Sequence, residues 1–259
     1  MLQQWRKSLT IALTPDSITI NSGKKVLRTL AIESASAEKS SWLPVLSELE
    51  KSAAALAKNK VKFVISNNYI RYAVLPWQED VFSQQDWQSL AENNMRERYG
   101  NVVDSWKVTV AMQGYGKPLL VSAIDQSLLA RIETIAKQFS WQIESIEPAL
   151  MTVVNHYKNK IKKSSLLMLV EKQGLLLAEI AKGHVVNCSV ACPPVEAMAV
   201  ETKLLLKRTL NCHAVEGTTA IHYFGLTQFL PRQESELTKI KPLDLSSEAM
   251  TMSAMLAKL

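Results

Sequence analysis

The chain has 259 residues, 47% hydrophobic and 21% charged, an ordinary globular composition able to build a core without disulfide staples. Its net charge of +6 comes from basic residues spread along the chain, which argues against a dedicated nucleic-acid face. Three cysteines are too few for a disulfide framework. No apolar run reaches the ~18 residues of a membrane-crossing helix, and Met1 to Leu13 lacks the apolar core of a signal peptide.

The chain therefore reads as soluble and intracellular, with any membrane association peripheral or through a partner. The densest basic cluster is Lys158, Lys160, Lys162 and Lys163, with Tyr157 beside it and no arginine. It reads as a solvated helix end and linker. The alternative is attraction to an acidic partner or an anionic membrane surface.

In chain order, Leu9 to Leu13 and Ile18 to Ile20 flank Thr14-Pro15-Asp16-Ser17 and predict a β-hairpin. Lys25 to Ile32 predicts a third strand. Val45, Leu46, Leu49, Ala53 and Leu56 fall at helical spacing between Trp42 and Lys58, with Pro44 in the first turn. Val61 to Ser66 is a strand, Asn67-Asn68 a turn, and Tyr69 to Leu75 the next strand. Ser83 and Asp86 have the spacing of a helix cap, Gly100 ends that helix, and Trp87, Leu90, Ala91, Met95 and Tyr99 form its inner face.

Strands follow at Trp106 to Met112 and Leu119 to Ile124. Asp125 caps a further helix, Trp141 to Ile146 is a strand, and Pro148 opens a helix to about Lys160. The polar stretch Asn159 to Ser165 is the expected boundary between lobes 1–160 and 161–259. Beyond it the pattern restarts with strands at Leu166 to Val170, Leu175 to Ile180 and His184 to Val190. A helix after Pro193-Pro194 and a strand at Thr218 to Tyr223 complete it. From Pro231 the chain reads as polar and irregular, closed by a weak helix from Ser246. The repeated β-β-β-α order predicts a duplicated, two-lobed α/β fold.

This order resembles the actin-like, ribonuclease-H-like superfamily, and within it the PilM and GspL group of type IV pilus and type II secretion platform proteins. The residues that carry it are Val64 to Asn67 with Ile70-Arg71-Tyr72 and Leu75-Pro76-Trp77. Leu119 to Ile124, Gln142 to Ala149, and Leu166 to Val170 with Gly174 carry the rest. The resemblance implies a phosphate-holding turn in each lobe, which in nucleotide-binding members carries Asp and Gly. Here Thr14, Asp16 and Ser17 stand in the first turn, Glu171 and Gly174 in the second, and Gly217 at the base side. The first turn has no glycine, and Pro15 removes an N–H donor. These turns read as a degenerate nucleotide cleft, so no cofactor is expected, with ATP and magnesium as the alternative.

Other chemistries are weaker. Cys188, Cys192, Cys212 and His213 lack a Cys-x2-Cys pair, and Cys212-His213 as strand neighbours would point to opposite faces. They read as core cysteines rather than a metal site. The four histidines are scattered, and no nucleophile elbow exists. Leu9 to Leu13 supplies no acid for a two-metal nuclease.

Tyr69 and Arg71, on one face of their strand by alternation, and Trp77 after a proline are candidate partner-binding residues; the competing reading places them in the core. The resulting expectation is a non-catalytic, cytoplasmic scaffold at the inner membrane that binds a peptide or partner domain. Its rival is an ATP-binding or ATP-hydrolysing protein of the same fold.

Overall fold

The computed structural model describes residues 8–23, 25–32, 41–56, 59–212, 220–226, 229, 240–246 and 251–259. The chain runs β1 (Ser8–Thr14), β2 (Ser17–Ser22), β3 (Lys25–Ala31), α1 (Leu43–Ala53) and β4 (Lys60–Ile65). It continues through β5 (Ile70–Leu75), α2 (Gln84–Tyr99), β6 (Trp106–Met112), β7 (Leu119–Asp125), α3 (Gln126–Gln138), β8 (Gln142–Pro148) and α4 (Ala149–Tyr157). The last part supplies β9 (Ser165–Val170), β10 (Leu175–Ala181), β11 (His184–Ala191), α5 (Met198–Cys212), β12 (Ala220–Leu226), β13 (Ile240–Ser246) and α6 (Met252–Ala257).

Two compact units emerge. The first comprises Met1–Tyr69, Ser127–His156 and Ser246–Leu259, and the second Ile70–Gln126 and Tyr157–Leu245. This corrects the boundary expected at residue 160 in two ways. The segment carrying β5 to β7 belongs with the second unit, because β5 lies beside β11. The chain end belongs with the first unit, because α6 packs on β1 and β2. Contacts between segments far apart in sequence leave no mark on local composition.

The first unit is built on a sheet of order β3-β2-β1-β4-β8. Its central strand β1 pairs antiparallel with β2, Ile11 opposite Ile20, and parallel with β4, Ile11 opposite Phe63. Both faces of β1 are covered, and Ile11, Leu13, Ile18, Ile20 and Phe63 are fully buried. Branched side chains suit such a doubly covered strand. In α1 the expected stripe of Val45, Leu46, Leu49 and Ala53 is buried, with Pro44 in the first turn.

Asn67 and Asn68, expected as a turn, lie in a 3-10 turn that also contains Tyr69 and is buried. The Asn67 carboxamide oxygen accepts from the Leu150 N–H at 3.2 Å, so a polar pair that looks like a surface turn instead satisfies a helix start. The six residues of α6 are all buried, capped by the Thr251 hydroxyl accepting from Ala254 N–H at 3.2 Å. The closing helix, expected as weak, is thus part of a core, while most of the polar stretch before it lies outside the described residues.

The second unit contains a sheet of order β11-β10-β9-β12-β13 and a three-stranded sheet of order β5-β7-β6. Leu166, Met168, Val170, Leu175, Leu177, Met198 and Tyr223 form the core of the larger sheet. Gly225 on β12 sits so close to β9 that a Cβ there would lie 2.4 Å from the Val170 carbonyl oxygen. That closeness leaves glycine as the only residue that fits. Helix α2 buries Trp87, Ala91 and Met95 against Ala73, Leu75 and Val121 of the smaller sheet. Its start follows expectation: the Ser83 hydroxyl accepts from Asp86 N–H at 3.1 Å and donates to the Asp86 carboxylate at 2.6 Å. β13 was not expected, since Pro242 breaks its pattern; a proline is admissible on the outermost strand of a sheet.

Candidate functional site

The first hairpin turn is closed by its own side chains. The Thr14 hydroxyl donates to the Asp16 carboxylate at 2.9 Å and lies 2.9 Å from the Ser17 hydroxyl. The Ser17 hydroxyl meets the Ser253 hydroxyl at 2.8 Å, and Ser253 meets Thr19 at the same distance. Thr14, Ser17, Thr19 and Ser253 are completely buried. Backbone groups are used as well: Asp16 C=O accepts from Ile32 N–H, and Leu13 C=O from Ser66 N–H, both at 2.9 Å. The structure therefore brings Thr14, Asp16 and Ser17 together, but the Thr14 hydroxyl is turned to Asp16 and Ser17, and the Ser17 hydroxyl to Thr14 and α6.

The second turn belongs to the other unit. Glu171 N–H donates to Gly174 C=O at 2.7 Å, which closes the hairpin between β9 and β10, and Glu171 is 2% exposed. Gly217 lies outside the described residues, as does His213.

Tyr69 and Arg71 do not share a strand face as expected. Tyr69 precedes β5 in the buried 3-10 turn, while Arg71 is a half-buried residue of β5. Arg71 lines a cavity of about 310 Å³ within the second unit, together with Tyr72, Arg98, Tyr99, Cys188, Val190 and Cys192. The last three stand at alternate positions along and just past β11, the spacing that puts side chains on one strand face. That alternation was the available signal for residues that sequence reading left in the core.

Both thiols are held neutral. Burial pushes Cys188 up to about 12. Cys192 is raised as well, by desolvation first, with Arg71 opposing and Glu171 adding to the shift. Cys212 ends α5 rather than lying on a strand, and no cluster of three potential metal ligands exists among the described residues.

Trp77 lies at the centre of an aromatic group. Its ring is 5.3 Å from Trp87 and 5.0 Å from Tyr115. Phe82 immediately precedes the cap Ser83, the position from which an apolar residue often packs onto the fourth helical residue, here Trp87. Trp77 covers Trp87 instead, and Phe82 and Tyr115 are each left 89% exposed, with Met112 57% exposed. The sequence named Trp77 as a candidate but not Phe82 or Tyr115; an aromatic residue between Gly114 and Gly116 at a turn tip was the legible hint.

No family model matches the chain, and no curated protein matches it. Solved structures do. The cytoplasmic domain of EpsL, an inner-membrane component of the Vibrio cholerae type II secretion system, aligns over 96% of this chain and 92% of that one, with TM-score 0.61 and 12% identity. A chain of the PilM–PilN type IV pilus biogenesis complex aligns over 97% of both chains, with TM-score 0.65 and 9% identity. A Bacteroides thetaiotaomicron protein with an actin-like ATPase fold and unknown function aligns over 97% and 95%, with TM-score 0.61 and 12% identity. Likeness over the full length of both partners, at these identities, is likeness of architecture: this chain has the actin-like fold.

Proposed function

We propose that the chain is a non-catalytic docking protein of a membrane-associated assembly or secretion machine, binding a protein partner through the aromatic surface around Trp77. The observation that carries this reading is Tyr115, 89% exposed with its ring 5.0 Å from that of Trp77, together with Phe82, equally exposed at the start of the helix whose Trp87 Trp77 also meets. Large exposed apolar side chains mark interaction sites, and aromatic anchors dominate binding energy at protein interfaces.

The structural likeness to EpsL and PilM–PilN supports a place on the cytoplasmic side of an inner membrane. Among the described residues no helix is long and apolar enough to cross a membrane, so recruitment by partners fits the role. The buried, mutually bonded hydroxyls of Thr14 and Ser17 support docking without turnover, since a phosphate would have to displace bonds already made.

Site-specific photocrosslinking in the producing cells tests the reading. A crosslinker at position 115 is expected to capture an inner-membrane protein, and one at exposed Glu97 to capture none. Phe82→Ala in the same chain should abolish the product. Equal capture from both positions, or capture indifferent to Phe82→Ala, overturns the docking surface. Thermal melting with millimolar Mg-ATP is expected to leave the transition unmoved. A saturable rise, which ligand linkage would produce, overturns the non-catalytic reading.

A further inference from the structure

The lysines at 158 to 163 acquire neighbours that the sequence does not place beside them. Gly183 N–H donates to Lys163 C=O at 2.8 Å, so the β10–β11 turn with Lys182 sits against the linker. Lys162 N–H donates to the His222 Nε2 at 3.0 Å, which ties the same linker to β12. Burial holds the His222 imidazole below its ordinary pKa, and Lys241 and Lys162 lower it further, so ammonium groups from β13 and the linker act on one ring.

Lys158, Lys160, Lys162, Lys163, Lys182 and Lys241 are all exposed. None forms an ion pair with a described residue. Three separate segments of the second unit thus converge on one lysine-rich face that carries no ion pair among the described residues.

We propose that this face binds the anionic surface of a lipid bilayer directly. This goes beyond docking through a protein partner, and it stands or falls independently of the aromatic surface. The chemistry favours a lipid surface over nucleic acid. All six cations are lysines, compact hydrated point charges without the planar fork that reads phosphate in pairs. The adjoining aromatic Tyr157 is buried, with the Lys160 ammonium 5.3 Å over its ring, and offers no stacking platform for bases. A diffuse negative plane asks only for accumulated charge, which basic residues near a membrane supply additively.

The test is sedimentation of the full chain with vesicles of phosphatidylcholine alone and of phosphatidylcholine with phosphatidylglycerol, at low and high salt. Binding is expected only to the anionic vesicles, falling steeply with salt. The triple variant Lys158→Gln, Lys162→Gln, Lys182→Gln should weaken it on the order of 100-fold, about fivefold per lysine. A control triple at exposed lysines elsewhere, Lys25→Gln, Lys107→Gln, Lys137→Gln, has the same net charge and should change it less than about threefold. Matching thermal melts for the two variants exclude misfolding as the cause, and Lys182→Gln alone, at a turn, serves if the triple melts early. Equal losses in both variants, or no preference for anionic vesicles, overturn the proposal. Tighter binding of single-stranded DNA with the same dependence on these lysines also overturns it, in favour of a nucleic-acid face.

Discussion

The two five-stranded sheets follow one plan and close their first hairpins by different chemistry. In each, three consecutive strands pair antiparallel and the first of them pairs parallel with a strand that follows a helix. In the first unit the turn is filled by buried hydroxyls that reach a helix from the far end of the chain. In the second the turn is a backbone bridge between Glu171 and Gly174. Strand order follows from hydrophobic runs that must be covered on both faces. Turn chemistry is not constrained by that burial, so it diverges while the sheet stays the same.

The comparison breaks if the second sheet does not need its tight approach. Gly225→Ala places a methyl group 2.4 Å from the Val170 carbonyl oxygen, and backbone on both sides leaves no flexible side chain to yield. Urea denaturation should show a loss of about 3 kcal/mol. A near-neutral result would mean that β9 and β12 slide apart without cost.

The next test addresses the hydroxyl cluster. Ser253→Ala removes the shared partner of Ser17, Thr19 and Thr251. Each of those hydroxyls keeps another neighbour, so the loss should be about 1–2 kcal/mol by the same measurement. A stabilised variant would show that the cluster is dispensable to α6.

The smallest effect separates the units by pH. His222 is 2% exposed and its folded-state pKa lies below the ordinary value. The unfolded chain therefore takes up the proton first as pH falls. The stability contribution is whole above the unfolded pKa of about 6.5 and declines as pH drops from there toward the folded value. His222→Gln keeps an acceptor for Lys162 N–H without titrating, and should flatten the stability profile below about pH 6.5. An unchanged slope would assign the pH dependence elsewhere.

Much of this architecture was legible because it is written locally. The alternation around Thr14 to Ser17, the Ser83 and Asp86 cap, and the restart after residue 165 follow from neighbours within a few positions. What escaped depends on distant partners. α6 reads as a weak terminal helix until β1 and β2 bury it, and Asn67 reads as a turn residue until Leu150 needs its oxygen. The candidate surfaces divide in the same way. Trp77 was a candidate from its place after Pro76, whereas the exposure of Phe82 goes with a contact between Trp77 and Trp87 that local sequence does not reveal.

Gln113, at the end of β6, has a consequence of another kind. Its carboxamide accepts from Val185 N–H and donates to Val185 C=O, both at 2.8 Å, and donates to Pro118 C=O at 2.9 Å. A single side chain thus imitates one residue of a neighbouring strand. β11 pairs with β10 across an irregularity beside Ile180, the kind of place where a strand can shift by one position. A shift would break both bonds to Gln113 at once, so the carboxamide acts as a two-toothed ratchet pawl. It fixes which side chains of β11, Cys188 and Val190 among them, turn toward the cavity.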